Sequence, residues 1–161
     1  MKPYLKRAWA EISLSALEAN IRAISASLQG NTQIMAVVKA DAYGHGEAEI
    51  LQKLTQIGVR YFAVSNLDEA LHVRQYCPDS DVLILGYTPP EYADTLAQNN
   101  IIQGIVSAEY ACTLNARTRT PIRCHVKLDT GMGRIGITGD TPGDWADSIQ
   151  DMGDSWVPVR T

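Results

Sequence analysis

The chain has 161 residues, 45% hydrophobic and 20% charged, a balance that excludes a disordered or fibrous protein and suits a folded globular one. That length accommodates one well-formed core and not two full domains. The formal net charge is -4, and Lys and Arg are scattered rather than gathered into a stripe that could neutralise phosphates, so nucleic acid is not an expected partner.

Near the N-terminus Lys2, Lys6 and Arg7 are followed by Ala8-Trp9-Ala10-Glu11 and not by the apolar region of a signal peptide. No segment approaches the roughly 18 apolar residues of a membrane-spanning helix. A cytoplasmic location without membrane association is therefore the expectation. Cys77, Cys112 and Cys124 are odd in number and widely spaced, matching neither a redox pair nor a zinc site. They read as free thiols, and no metal is expected.

In chain order, residues 8–13 alternate apolar and polar and predict a half-buried strand, with Ser13 placed to cap a helix. Leu14, Leu17, Ile21, Ile24 and Leu28 recur at three- and four-residue steps and predict that helix, amphipathic over 14–28 and closed by Gly30. The apolar run 34–38 predicts a strand ending at Lys39. A glycine-containing turn comes next, then a helix over 47–57 stopped at Gly58. Residues 61–64 read as a buried strand, and Asn66 caps a helix running to Tyr76, where Cys77-Pro78 ends it. A strand over 82–85 is closed by Gly86, and Pro89, Pro90 and Glu91 open a helix that runs to about Gln98. Strands over 101–106 and 122–128 flank a helix over 108–115. Beyond residue 138 the chain is rich in Gly, Asp, Pro and Ser, and only a weak helix over 144–151 is expected there.

Five apolar strands, each but the last followed by a helix, predict an α/β fold with a parallel sheet. A complete (β/α)8 barrel takes about 250 residues. The pattern therefore suits a TIM-type barrel represented by five of its eight units over residues 1–137, with 138–161 a poorly ordered or non-homologous tail.

Two segments carry chemistry. In Ala36-Val37-Val38-Lys39-Ala40-Asp41-Ala42-Tyr43-Gly44-His45-Gly46, a lysine closes an apolar strand, where an ammonium group is costly and barrel enzymes place catalytic residues. A desolvated lysine loses proton affinity and can condense with an aldehyde, while Tyr43 offers a hydroxyl to a phosphate. The plainer alternative is a snorkelling Lys39 followed by a simple turn. In His125-Val126-Lys127-Leu128-Asp129-Thr130-Gly131-Met132-Gly133-Arg134-Ile135-Gly136, a glycine-rich turn presents Arg134, whose planar fork suits a carboxylate or phenolate oxygen. Its alternative is a structural charge cluster of Lys127, Asp129 and Arg134 at a barrel rim.

The stretch 37–46 resembles the cofactor-lysine motif of alanine racemases, and 127–136 resembles their second motif. Arg7-Ala8-Trp9-Ala10-Glu11-Ile12 and the surroundings of Phe62-Ala63-Val64 are also similar to the family, so the resemblance covers roughly residues 6–137. It implies a pyridoxal phosphate enzyme that interconverts L- and D-alanine and so supplies D-alanine for peptidoglycan. Lys39 would then bind the cofactor covalently and serve as acid or base on one face of the substrate α-carbon, and Tyr43 would bind the cofactor phosphate. Arg134 would face the cofactor's phenolic oxygen and the substrate. Lys127 matches a lysine that is carbamylated in some members and orients that arginine; His45 is read as structural.

The same resemblance implies a homodimer in which a tyrosine from the partner's C-terminal β-domain serves the opposite face. That domain and the later barrel loops have no counterpart in this sequence, so this chain on its own is expected to be inactive or weakly active. Two other readings remain beside it: a non-catalytic pyridoxal phosphate-binding barrel protein, and a serine racemase of the same family.

Overall fold

The computed structural model describes residues 9–150. Five strands, β1 (Met35–Val37), β2 (Tyr61–Val64), β3 (Asp81–Ile84), β4 (Ile101–Ile105) and β5 (Cys124–Val126), form one sheet in the order β1-β2-β3-β4-β5. Every neighbouring pair is parallel. Helices α3 (Glu47–Gln56), α4 (Leu67–Tyr76), α5 (Ala93–Gln98) and α6 (Ala108–Asn115) form the crossovers, while α1 (Leu14–Ser27) precedes the sheet. This is an incomplete (β/α)8 barrel of the kind that the alternating pattern predicts.

The period of two along each strand sorts the core into two layers. Phe62, Val64, Val82, Ile84, Ile101 and Ile105 point to the helices and form the main cluster with Leu51, Leu54, Val73, Leu96 and Leu114. The residues between them, Ala63, Leu83 and Ile102, form a second, smaller cluster on the inner face, with Met35 against it. Leu14, Leu17 and Ile21 of α1 pack on the main cluster, and Glu18 pairs with Lys53 of α3, which fastens α1 to the barrel wall. Cys77, Cys112 and Cys124 are free thiols, as expected.

Side chains cap three helix starts, two of them, at Ser13 and Asn66, expected from the sequence. Ser13 Oγ accepts from Ala16 N–H at 3.2 Å, Asn66 Oδ1 from Glu69 N–H at 3.0 Å and Ser107 Oγ from Tyr110 N–H at 3.1 Å. Gly58, with φ 97°, follows α3 in a conformation that glycine adopts at no steric cost.

Four departures are informative. Residues 9–13 are not a strand: they pair with no strand among the described residues, and Trp9 is 74% exposed. The apolar runs predict 34–38 and 122–128, yet β1 and β5 are three residues each, because each pairs on one side only among the described residues and the ladder defines the strand. The helix expected from Pro89 opens as a 3-10 turn, Pro90–Tyr92, before α5, as befits a start without proline N–H donors. Finally, the weak helix expected over 144–151 is present as α7 (Pro142–Gln150) but starts two residues earlier, inside the segment read as a tail. Asp144 Oδ2 accepts from Thr141 N–H at 2.8 Å while Thr141 Oγ1 accepts from Asp144 N–H at 3.3 Å, and Trp145 packs against the main cluster. The rest of that tail, 151–161, and the opening 1–8 lie outside the described residues. Among the described residues no helix is long and apolar enough to cross a membrane.

Candidate active site

Lys39 lies two residues past the carboxyl end of β1, and Lys127 one residue past that of β5. Val38 N–H donates to Ala63 O (2.9 Å), so the ladder runs one residue past β1, and Lys127 N–H donates to Ile105 O (2.9 Å), which extends β5 in the same way. Strand alternation gives Lys127 the phase opposite to Cys124, which packs on the helix side, whereas the backbone leaves the extended region at Val38 (ψ 16°) and Lys39 opens the turn that follows. Both lysines therefore stand just past the carboxyl ends of their strands, at the barrel mouth. Four strand spacings of about 4.8 Å separate them, roughly 19 Å measured along the sheet. The two motifs thus share one rim of the sheet.

The turn after Lys39 is the least ordinary backbone in the structure. Ala40, Asp41, Ala42 and Tyr43 have φ between 51° and 57°, a single left-handed helical turn within α2 (Lys39–Gly44). Such a conformation costs an L-residue about 1–2 kcal/mol, so four in succession need support from elsewhere. The sequence suggests unusual dihedrals only at Gly44 and Gly46; the structure extends them to four residues that carry a Cβ.

The support is a set of hydrogen bonds. Ala40 N–H donates to Glu69 Oε1 (2.8 Å), while Glu69 Oε2 accepts from Ser65 N–H (2.8 Å) and Ser65 Oγ–H (2.6 Å). Ala42 N–H donates to Val38 O (2.9 Å), Gly46 N–H to Asp41 O (3.1 Å) and Glu47 N–H to Asp41 Oδ1 (2.7 Å). His45 Nδ1 lies 2.8 Å from Ala42 O and closes the turn, in keeping with its reading as a structural residue. Burial alone would raise the pKa of Glu69, but the donors from Ser65 and Ala40 outweigh it and hold the carboxyl below the ordinary glutamate range.

The consequence is local geometry at the mouth. Ala42 is buried in the main cluster, whereas Lys39 is half-buried and Tyr43 is 59% exposed, with Lys39 Nζ 5.9 Å from the Tyr43 ring centroid. An amine and a phenol four residues apart thus share one face of the turn.

In the second motif, Asp129 Oδ1 accepts from Gly131 N–H (3.1 Å) and Gly133 N–H (3.0 Å), which lowers its pKa and folds the loop that carries Arg134. Asp129 N–H donates to Ile137 O and Ile137 N–H to Lys127 O, closing the base of that loop. Arg134 is exposed, and its Nη2 lies 3.4 Å from Met132 Sδ. None of the four ion pairs among the described residues engages Lys39, Lys127 or Arg134, while the Lys127 charge adds to the loop amides in holding Asp129 low. Glu69 is the residue at this site that the sequence did not reveal. Its spacing from Asn66 is that of a capping box, which points back to its own helix and not to the strand-end turn it contacts.

A barrel sheet with an amine at the mouth end of its first strand defines the class, one in which side chains at the carboxyl ends of strands meet a ligand. The chain belongs to the alanine racemase N-terminal domain family, whose model matches residues 12–158. It is 45% identical over 133 residues to an amino-acid racemase of Enterococcus faecalis, a match covering 83% of this chain and 19% of that protein. It is 41% identical over 134 residues to a serine/alanine racemase of Enterococcus gallinarum, covering 83% and 19%. The alanine racemase of Clostridium difficile 630 in complex with cycloserine superposes with a TM-score of 0.80 at 34% identity, over 92% of this chain and 42% of that one. The chain thus spans about a fifth of these curated relatives and two fifths of that structure.

Proposed function

We propose that the protein to which this chain belongs is a pyridoxal phosphate-dependent amino-acid racemase with alanine as its first substrate, and that Lys39 binds the cofactor. The observation that carries the reading is the Lys39 amine at the barrel mouth, beside the Tyr43 phenol and on the same rim as Lys127 and the Arg134 loop. The donor set fits the cofactor: a primary amine for its aldehyde, a phenol for its phosphate and a guanidinium for its phenolic oxygen. When bound, the cofactor supplies an electron sink that acidifies the substrate α-C–H.

The chain's own residues then divide the work. Lys39 Nζ takes or returns a proton at one face of the α-carbon, Tyr43 donates its hydroxyl to the phosphate, and Arg134 orients the phenolic oxygen and the substrate. Lys127, carrying a carbamate, would turn toward the Arg134 guanidinium and orient it. Racemisation needs proton movement on both faces; on the family resemblance the other face belongs to a tyrosine of the second subunit of a homodimer. D-alanine for peptidoglycan is the outcome this implies.

Incubation with pyridoxal phosphate followed by borohydride, with peptide mass spectrometry, should place the label on Lys39, and Lys39→Ala should remove it. Labelling spread evenly over all lysines would overturn the assignment. The serine reading is favoured by the serine/alanine racemase relative, and relative turnover of L-alanine and L-serine by the whole protein separates the two. Cofactor uptake with no turnover of either amino acid would select the non-catalytic alternative.

A further inference from the structure

Resting on the cofactor reading of Lys39, we infer that Glu69 is the positioning residue of this site: its carboxylate holds the left-handed turn that sets the Lys39 amine at the barrel mouth. The carboxylate is shared between two strand ends. One oxygen takes the N–H of Ala40, the residue next to Lys39, and the other takes both donors of Ser65, which follows β2. Ala40 also begins the run of positive φ, so this bond acts where the backbone changes hand.

An ionised carboxylate suits the demand. Three donors, Ala40 N–H, Ser65 N–H and Ser65 Oγ–H, converge on two oxygens, an arrangement that an acceptor-only carboxylate satisfies without a competing hydrogen. The strain of Ala40–Tyr43 gives the contact a purpose beyond helix capping, because the N-cap of α4 is already supplied by Asn66 Oδ1. Without the Glu69 acceptor, Ala40 is free to return to the right-handed or extended region, and Lys39 would swing away from Tyr43. Glu69 touches no reacting atom; it acts through the backbone of Lys39.

The test uses the full chain in three forms: wild type, Glu69→Gln and Glu69→Ala. Glutamine preserves length and volume but must turn its NH2 toward one set of N–H donors, so it disturbs the bond without emptying the site. The first readout, independent of any cofactor, is amide hydrogen exchange at Ala40. It should quicken at least tenfold in Glu69→Ala and by a smaller factor in Glu69→Gln, with far-UV circular dichroism unchanged. The second is the rate of borohydride-fixed pyridoxal phosphate labelling, which should fall at least tenfold at Lys39 while Lys53, on α3, labels as before.

Exchange at Ala40 within twofold of wild type in both variants overturns the inference. So does faster exchange with undiminished Lys39 labelling, because the turn would then loosen without consequence for the amine. A wild type whose Lys39 labels no faster than Lys53 overturns the cofactor reading itself, a result distinct from either. Should Glu69→Ala fail to fold, Glu69→Gln carries both readouts.

Discussion

Replacing Arg74 with methionine should cost the fold about 3 kcal/mol. From the last turn of α4, the Arg74 guanidinium reaches five backbone carbonyls. Nε donates to Asn99 O (2.9 Å), Nη1 to Cys77 O (3.3 Å), Pro78 O (2.8 Å) and Ser80 O (2.6 Å), and Nη2 to Asn100 O (2.8 Å). These carbonyls belong to the turns that lead into β3 and β4, so one side chain sets the entry of two central strands. The bonds to Pro78 and Asn100 are exposed, and water replaces them in the variant. Of the three partly buried bonds the one to Cys77 is long, which leaves two good charge-assisted bonds at about 1.5 kcal/mol each. In a chain of this size that loss lowers Tm by about 6–12 °C. Urea unfolding followed by circular dichroism measures it, provided the slope m stays constant. Arg74→Lys keeps the charge but not the planar fork and should lose about half as much. A loss under about 1 kcal/mol in the methionine variant would refute the argument that these carbonyls depend on the guanidinium.

Two further outcomes test the core and the barrel floor. Phe62→Ala, at a fully buried position on β2, should cost about 3–5 kcal/mol in the same urea assay; under about 1 kcal/mol would mean that the main cluster collapses around the cavity. Asp81 is held below the ordinary aspartate range, chiefly by the hydrogen bond from Arg123, whose Nη2 also lies 3.0 Å from Asp81 Oδ2. A depressed carboxyl contributes stability that is complete above its unfolded pKa, near pH 4, and is lost as pH falls through its lower folded value. Asp81→Asn should therefore flatten the acid limb of urea midpoint against pH below about pH 4, and an unchanged slope there would count against the Asp81–Arg123 pair as its source.

The alternation of units was legible because its signals are local. Apolar runs at 61–64 and 101–105, caps at Ser13 and Asn66, and the stop at Gly58 each depend on residues within a turn or two of one another. The parallel sheet follows from the strand–helix order. The two chemical motifs were legible for a related reason: an amine closing an apolar strand and an arginine in a glycine-rich turn are conspicuous against their immediate neighbours. Composition and periodicity do not carry long-range pairing. Residues 9–13 alternate like a strand but find no ladder among the described residues, and α7 depends on Trp145 reaching a core that its thin apolar stripe does not reveal.

The turn beside Lys39 marks the boundary most sharply. In Ala40-Asp41-Ala42-Tyr43 only Asp41 is a residue type that visits positive φ with any frequency, and a run of four L-residues leans the other way. Only the folded chain brings Glu69, 29 residues on, to the Ala40 amide, and only there is the backbone strain offset by hydrogen bonds. The sequence by itself determined the alternating strand and helix units and made Lys39 and Arg134 conspicuous against their neighbours. Tertiary structure decided where the amine stands, because strain at one strand end is relieved by a partner supplied from another.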